Sequence, residues 1–126
     1  LPKCDWLVLA CPLTAETRAL MDARRFALLP PHAGLVNVSR GEVVDEAALT
    51  ATLASGHLRG AYLDVFTVEP LAPDSPLWTM PNVLITPHNS ATSVGNYTRG
   101  VEIFLRNTDA YLRGKPLENE VIAARV

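Results

Sequence analysis

Four charged or titratable side chains in this 126-residue sequence have the types needed for proton transfer and anion binding: Arg40, Asp64, Glu69 and His88. An arginine guanidinium matches a carboxylate with two parallel hydrogen bonds. An imidazole is the natural acid and base near neutral pH, and a paired carboxylate fixes its tautomer and favours its charged form. Together these residue types favour acid/base chemistry on a small anionic molecule.

Each of the four residues also has a simpler interpretation on its own. Arg40 fits an exposed cation, and Asp64 fits a cap on the turn after a strand. Glu69 fits a solvated loop acid, and His88 fits a histidine bonded to backbone. The interpretation as a site therefore depends on elements that bring the four residues together.

Four short apolar runs predict those elements, at residues 6–11, 35–38, 61–65 and 83–86. The first run is typical of a strand that is buried on both faces. Helical patterns between the runs predict a parallel α/β sheet. Ligands of such sheets bind beyond the carboxyl ends of the strands, and the four residues follow the second, third and fourth runs. We therefore expect them at one edge of the sheet.

Three helices are predicted from their capping residues Thr14, Asp22 and Asp45. The first ends at Leu20, and the third ends before Gly56, which suits the left-handed position after a helix. The longest periodic segment, residues 97–112, predicts a helix whose apolar stripe packs into the core. A long structured loop without a regular helix is predicted between residues 65 and 83, because that segment contains Pro70, Pro73, Pro76 and Pro81.

Composition excludes several classes of protein. The chain is 48% hydrophobic and 19% charged, which excludes disorder by composition. Its net charge of -2 and the absence of a basic stripe argue against a nucleic-acid-binding role. No apolar run approaches the roughly 18 residues of a membrane span, so a soluble, cytoplasmic domain is expected. Cys4 and Cys11 are expected to be reduced thiols, and no metal site is predicted.

Three linked segments, residues 37–46, 63–71 and 81–88, resemble the D-isomer-specific 2-hydroxyacid dehydrogenases. Residues 11–14 with Thr17 resemble the segment that follows the preceding strand in that family. The resemblance extends over essentially the whole chain. It implies the C-terminal portion of a Rossmann-like, doubly wound parallel sheet with flanking helices. Residues 1–115 would belong to the dinucleotide-binding domain, and residues 116–126 would be a tail leading towards a substrate domain.

The resemblance also implies roles for single residues. Arg40 matches the arginine that holds the carboxylate and carbonyl of the substrate, His88 matches the acid/base, and Glu69 matches its paired carboxylate. Asp64 matches the residue that contacts the nicotinamide carboxamide. The implied cofactor is NAD, with NADP also open, and the implied substrate is a small 2-hydroxy or 2-oxo acid. The implied cofactor contacts, besides Asp64, are Cys11, Pro12, Val38, Arg40, His88 and Ser90.

Two features of that family are missing from the sequence. None of the seven glycines falls into the G-x-G-x-x-G fingerprint that receives the pyrophosphate. The N-terminal substrate domain is also absent, so the chain is expected to be the later part of a larger protein and to bind NAD weakly alone. Residues 89–92 depart from the commoner glycine-containing version, which leaves the substrate side chain open.

Two interpretations from different classes follow. In the first, the chain is the C-terminal part of an NAD-dependent D-2-hydroxyacid dehydrogenase that forms a homodimer through its nucleotide-binding domain. In the second, the chain is a catalytically silent module for folding or dimerisation. Trp78 and Met80 in the proline-rich loop are the candidate dimer contacts.

Overall fold

The structure is a computed structural model that describes residues 1–121. Its central element is a four-stranded parallel sheet. The strands are β1 (Trp6–Leu9), β2 (Gly34–Asn37), β3 (Gly60–Leu63) and β4 (Val83–Ile85), and they lie in that order across the sheet. The helices are α1 (Ala23–Phe26), α2 (Glu46–Ala54) and α3 (Asn96–Leu112). The predicted parallel α/β class, Rossmann-like in its alternation of strands and helices, is confirmed.

The strands end earlier than the apolar runs predict, but the residues just beyond them still bond to the neighbouring strand. The amide of Val38 donates to Leu9 at 3.1 Å, that of Asp64 to Asn37 at 3.0 Å, and that of Thr86 to the β3 carbonyl of residue 63 at 3.0 Å. These bonds hold the start of each following loop at the carboxyl edge of the sheet.

The core lies on one face of the sheet. Leu35 and Leu63 of the strands are buried with Phe26 of α1 and Leu49 of α2 in one apolar cluster. The first run was predicted to be buried on both faces, whereas in this chain the other elements cover only one face of β1. Val8 is 58% exposed, because α1 and α2 pack against the opposite face of the sheet.

Helix capping follows the sequence at two of three sites. Oδ1 of Asp22 accepts from the amide of Arg25 at 2.7 Å, and Oδ1 of Asp45 accepts from the amide of Ala48 at 3.0 Å. Gly56 follows α2 with φ +73°, as predicted. These caps are local features, so the sequence alone determines them.

The helix predicted from Thr14 to Leu20 does not form. Oγ1 of Thr14 does accept from the amide of Thr17 at 3.3 Å, but residues 15–19 form only a turn. Ala19 then adopts φ +48°, and the amide of Met21 donates to Val43 at 3.0 Å. Pairing with residues 43 and 44 draws the chain away from a helical path.

The proline-rich loop is irregular, as predicted, apart from a 3₁₀ helix at Pro76–Thr79. The predicted long helix is confirmed as α3, but its predicted packing into the core is wrong. None of its residues is buried, and Phe104 is 68% exposed. The chain divides into two compact units, and α3 lies in the second unit, which begins at Ala91.

The predicted tail begins after α3, where Gly114 has φ +63°. Nε of Arg106 donates to Oε1 of Glu118 at 2.9 Å, which holds the start of the tail beside α3. Residues 122–126 of the predicted tail lie outside the described residues. Within residues 1–121, no helix combines the length and the apolar character that a bilayer span requires.

Candidate active site

His88 and Glu69 form the central contact of the site. Nδ1 of His88 lies 2.7 Å from Oε2 of Glu69, and the two side chains are 45% and 36% exposed. The second carboxylate oxygen, Oε1, accepts from the amide of Phe66 at 3.0 Å. With Nδ1 engaged by the carboxylate, Nε2 is the ring nitrogen that remains for proton exchange with a ligand.

The hydrogen bonds of Glu69 favour its ionised form. The bond to His88 is the largest influence and lowers the pKa of the Glu69 carboxyl, and the bond from the amide of Phe66 lowers it further. Glu69 is therefore a carboxylate near neutral pH. A carboxylate on Nδ1 stabilises the imidazolium that forms when the ring accepts a proton.

Asp64 positions the loop that carries His88. Its side chain is fully buried, and Oδ1 accepts from Oγ1 of Thr86 at 2.5 Å and from the amide of Asn89 at 3.0 Å. Oδ2 accepts from the amide of Ser90 at 2.9 Å. His88 lies between these anchored residues with φ +52°.

The electrostatics of Asp64 follow from the same bonds. Burial alone would raise the pKa of the Asp64 carboxyl, but hydrogen bonds from Ser90, Thr86 and Asn89 outweigh burial and lower that pKa to about 2. A buried carboxylate that remains charged needs several donors of this kind. The loop after β4 supplies them.

Arg40 lies at the carboxyl end of β2 and is held mainly by its neighbours in sequence. Its Nη1 donates to the carbonyl of Ser39 at 2.6 Å, and its own carbonyl accepts from Nδ2 of Asn37 at 3.1 Å. The structure therefore places Glu69 and His88 in direct contact and anchors the residues beside His88 to Asp64, while the guanidinium of Arg40 takes part in a separate set of bonds.

Gly41 connects the Arg40 loop to the Glu69 loop. A Cβ added at Gly41 would lie 1.9 Å from the carbonyl carbon of Phe66, so only glycine allows this approach of the two backbones. The Thr67 amide, one residue further, donates to Oε2 of Glu46 at 3.1 Å. Two loops that start from different strands are thus fixed against one another.

Asn37 is a site residue that our reading of the sequence did not identify. It is buried, and its Oδ1 accepts both from the amide of Ser39 at 3.1 Å and from Oγ of Ser39 at 2.8 Å. The sequence does contain a signal for Asn37. A side-chain amide within the apolar run at residues 35–38 is expected to be buried, and a buried amide requires hydrogen-bond partners.

A cleft of about 540 Å³ opens beside His88. Its apolar wall includes Phe66, Leu71 and Trp78, and its polar lining includes Glu69 and His88. The sequence did not predict this wall. Trp78, one of the two candidate dimer contacts, lines the cleft with its indole nitrogen donating to Ala72 at 2.9 Å. The other, Met80, is partly buried against the core.

The other positions expected to contact a cofactor lie beyond the strands at the same edge. Cys11 is a half-buried free thiol, Pro12 is exposed, Val38 is half-buried and Ser90 is exposed. These accessible side chains suit the wall of a dinucleotide pocket. Asp64 differs because it is fully buried and already holds three hydrogen bonds, so its contact with a carboxamide stays a prediction.

Among residues 1–121, no group of three or more histidine, cysteine, aspartate or glutamate side chains is arranged to hold a metal ion. The described site consists of an imidazole, carboxylates, hydroxyls and backbone amides. Its own groups can bind anions and transfer protons.

Comparison with known proteins gives consistent matches. Residues 1–90 match the family model described as D-isomer specific 2-hydroxyacid dehydrogenase, NAD binding domain. The chain is 44% identical over 120 residues to glyoxylate/hydroxypyruvate reductase B from Pectobacterium carotovorum subsp. carotovorum (strain PC1), covering 94% of this chain and 37% of that relative. It is 48% identical over 98 residues to the reductase of the same name from Shigella boydii, covering 77% and 30%.

Solved structures agree with the sequence matches. A D-isomer specific 2-hydroxyacid dehydrogenase from Xanthobacter autotrophicus Py2, in complex with NADPH and MES, superposes with a TM-score of 0.84 at 47% identity, covering 94% of this chain and 48% of that chain. An NADPH-dependent glyoxylate/hydroxypyruvate reductase from Sinorhizobium meliloti, in complex with NADP and sulfate, has a TM-score of 0.85 at 36% identity, covering 96% and 38%. The chain spans less than half the length of each of these relatives.

Proposed function

This chain belongs to the D-isomer-specific 2-hydroxyacid dehydrogenase family, and we propose that it supplies the acid/base pair for reversible reduction of a small 2-oxo acid to a D-2-hydroxy acid. The contact of 2.7 Å between Nδ1 of His88 and Oε2 of Glu69 is the observation that carries this proposal. It leaves Nε2 of a correctly oriented imidazole to exchange a proton with a ligand.

In the proposed reduction, Nε2 of His88 donates its proton to the substrate's carbonyl oxygen as the hydroxyl group forms. Glu69 holds the imidazole at Nδ1 and stabilises the charged ring before the proton leaves. In the oxidation direction the same nitrogen removes the hydroxyl proton. Arg40 is proposed to hold the substrate's carboxylate through its guanidinium, which is exposed and therefore accessible to a ligand.

The cofactor proposed for this reaction is NAD or NADP, which supplies or accepts the hydride when it is bound. We propose that the cofactor binds along the carboxyl edge of the sheet. The half-buried and exposed side chains there are accessible to a nicotinamide nucleotide. The cofactor contacts proposed are Cys11, Pro12, Val38, Arg40, Asp64, His88 and Ser90.

The proposed substrates are 2-oxo acids such as glyoxylate and hydroxypyruvate, after the names of the relatives at 44% and 48% identity. The test is an activity assay of the purified complete gene product. Each 2-oxo acid is assayed with NADH and with NADPH in turn. We expect consumption of the reduced cofactor and, from substrates that yield a chiral product, the D isomer on a chiral column. Formation of the L isomer, or no turnover by folded protein, would contradict the proposal.

A second candidate is a catalytically silent module for folding or dimerisation. Under this candidate, the folded chain forms a homodimer without measurable binding of NADH or NADPH. Calorimetric titration with both cofactors, together with a sedimentation measurement of mass, separates the two candidates.

A further inference from the structure

Two hydroxyl groups connect strand β3 to the loop that carries His88. The hydroxyl of Tyr62 lies 2.9 Å from Oγ1 of Thr86, and Oγ1 of Thr86 lies 2.5 Å from Oδ1 of Asp64. The ionised Asp64 carboxylate can only accept, so the single hydroxyl hydrogen of Thr86 points to Asp64. Thr86 must then accept from Tyr62, which fixes the direction of both bonds.

The alternation of side chains along the strands explains this arrangement. Tyr62 and Asp64 are two residues apart on β3 and its continuation, so both side chains lie on the same face of the sheet. Thr86 directly follows β4, next to β3. A tyrosine at position 62 is long enough to reach the hydroxyl group beyond the end of the neighbouring strand.

The chain of hydroxyls ends at the carboxylate that anchors both sides of His88. Asp64 bonds to Thr86 before His88 and to the amides of Asn89 and Ser90 after it. His88 adopts φ +52°, a backbone conformation that non-glycine residues adopt only when the surrounding structure imposes it. The three bonds to Asp64 are the restraint that the structure provides at this point.

We propose that Thr86 and Tyr62 are positioning residues for His88, acting through the Asp64 carboxylate on the backbone of the His88 loop. This inference rests on the proposed function, in which His88 transfers the proton. Thr86 orients the carboxylate, and Tyr62 orients the hydroxyl of Thr86. Without the Thr86 hydroxyl, the Asp64 carboxylate keeps only the bonds from the amides of Asn89 and Ser90 and is oriented less firmly. The loop then holds the imidazole less firmly in line with Glu69.

The kinetic test compares Thr86→Val with Thr86→Ser in the complete gene product. A displacement on the order of 1 Å at a reacting group lowers rates by up to about 10²-fold, so we expect Thr86→Val to lower kcat by about tenfold with little change in KM. Thr86→Ser retains the hydroxyl and should restore most of kcat. Thr52→Val is the matched control, because it removes a threonine hydroxyl bond of 2.6 Å within α2.

Tyr62→Phe tests the outer bond and serves as the test variant if Thr86→Val does not fold. We expect a smaller loss of kcat, about two- to fivefold, because a neutral hydrogen bond is weaker than one to a carboxylate. The double variant Tyr62→Phe/Thr86→Val should match Thr86→Val alone, since Tyr62 acts through Thr86. Additive losses in kcat would contradict the proposed order of the bonds.

Hydrogen exchange at the amides of Asn89 and Ser90 separates failure of this inference from failure of the proposed function. We expect exchange at both amides to be at least about tenfold faster in Thr86→Val than in the unchanged protein, whether or not the protein turns over a 2-oxo acid. Unchanged exchange at both amides would overturn the inference even in an active enzyme. So would an unchanged kcat in Thr86→Val, or a Thr86→Ser variant as slow as Thr86→Val.

Discussion

Asp64 is a buried charge whose ionisation contributes to the stability of the fold at acidic pH. Its carboxyl has a pKa of about 2 in the folded chain against an ordinary value of 3.8, because donors from the His88 loop outweigh burial. A pKa that folding lowers stabilises the folded state above the unfolded pKa, and this contribution is lost as the pH falls through the folded pKa. The relevant window therefore runs from about pH 4 down to about pH 2.

The variant Asp64→Asn tests this account. We expect the free energy of unfolding of the unchanged protein to exceed that of Asp64→Asn by an amount that falls by about 2 kcal/mol across that window. Urea unfolding at a series of pH values measures the difference, and Asp74→Asn, at an exposed position, is the matched control. A difference that stays constant with pH would exclude the role given to Asp64.

The pairing of His88 with Glu69 predicts a second change at the residue scale. The bond to His88 is the largest influence that lowers the pKa of the Glu69 carboxyl, so His88→Gln should raise that pKa towards its ordinary value. A ¹³C NMR titration of the carboxyl groups measures this shift. Glu118, whose pKa is lowered by its bond to Arg106, is an internal reference that should not move.

At this scale the sequence predicted which side chains lie near one another better than how they are bonded. Residue types and their places after successive strands were enough to group Asp64, Glu69 and His88. The bonds from Thr86 and Ser90 to Asp64 could not be predicted, because they depend on the register of β3 with β4. Asn37 was not predicted as a site residue because it lies within an apolar run, where the pattern predicts only a buried strand.

At the scale of elements, the approach of two loops at Gly41 makes a testable prediction. A methyl group there would overlap the backbone of Phe66, so Gly41→Ala should destabilise the fold by about 1–3 kcal/mol or more and move the Arg40 loop. Gly100→Ala in α3 is the matched control, because no atom lies within 4 Å of the added methyl group. It should stabilise the helix by about 0.5–1 kcal/mol.

Urea unfolding of the two glycine variants measures both effects. If Gly41→Ala were as stable as the unchanged protein, the two loops would not be packed as the structure has them. Gly41 has no side chain to contribute to chemistry. Its role is to let the loop after β2 reach the loop after β3.

The helix caps, which depend on local interactions, were predicted correctly, whereas two features of the helical segments that depend on distant contacts were not. The caps at Asp22 and Asp45 require only residues within one turn of helix, and both form. The turn at residues 15–19 was predicted as a helix because the pairing of Met21 with Val44 cannot be read from that segment alone. The apolar stripe of α3 was likewise predicted as core because its pattern does not specify a partner.

For the molecule as a whole, the alternation of apolar runs and helical patterns was sufficient to predict the parallel sheet. The position of β1 at the edge of the described sheet could not be predicted, since a run of apolar residues looks the same at an edge and in the centre. The chain spans 37% of the length of the Pectobacterium reductase.

The most direct test of the central claim is the kcat for 2-oxo acid reduction of His88→Gln beside that of the unchanged protein. His32→Gln is the matched control, because the side chain of His32 is exposed and its Nε2 lies 3.6 Å from Oδ1 of Asp5. A positioned acid/base contributes about 10²–10⁴-fold, so His88→Gln should lose at least about 10²-fold in kcat while His32→Gln keeps the rate. A folded His88→Gln protein with an unchanged kcat would contradict the assignment of His88 as the acid/base.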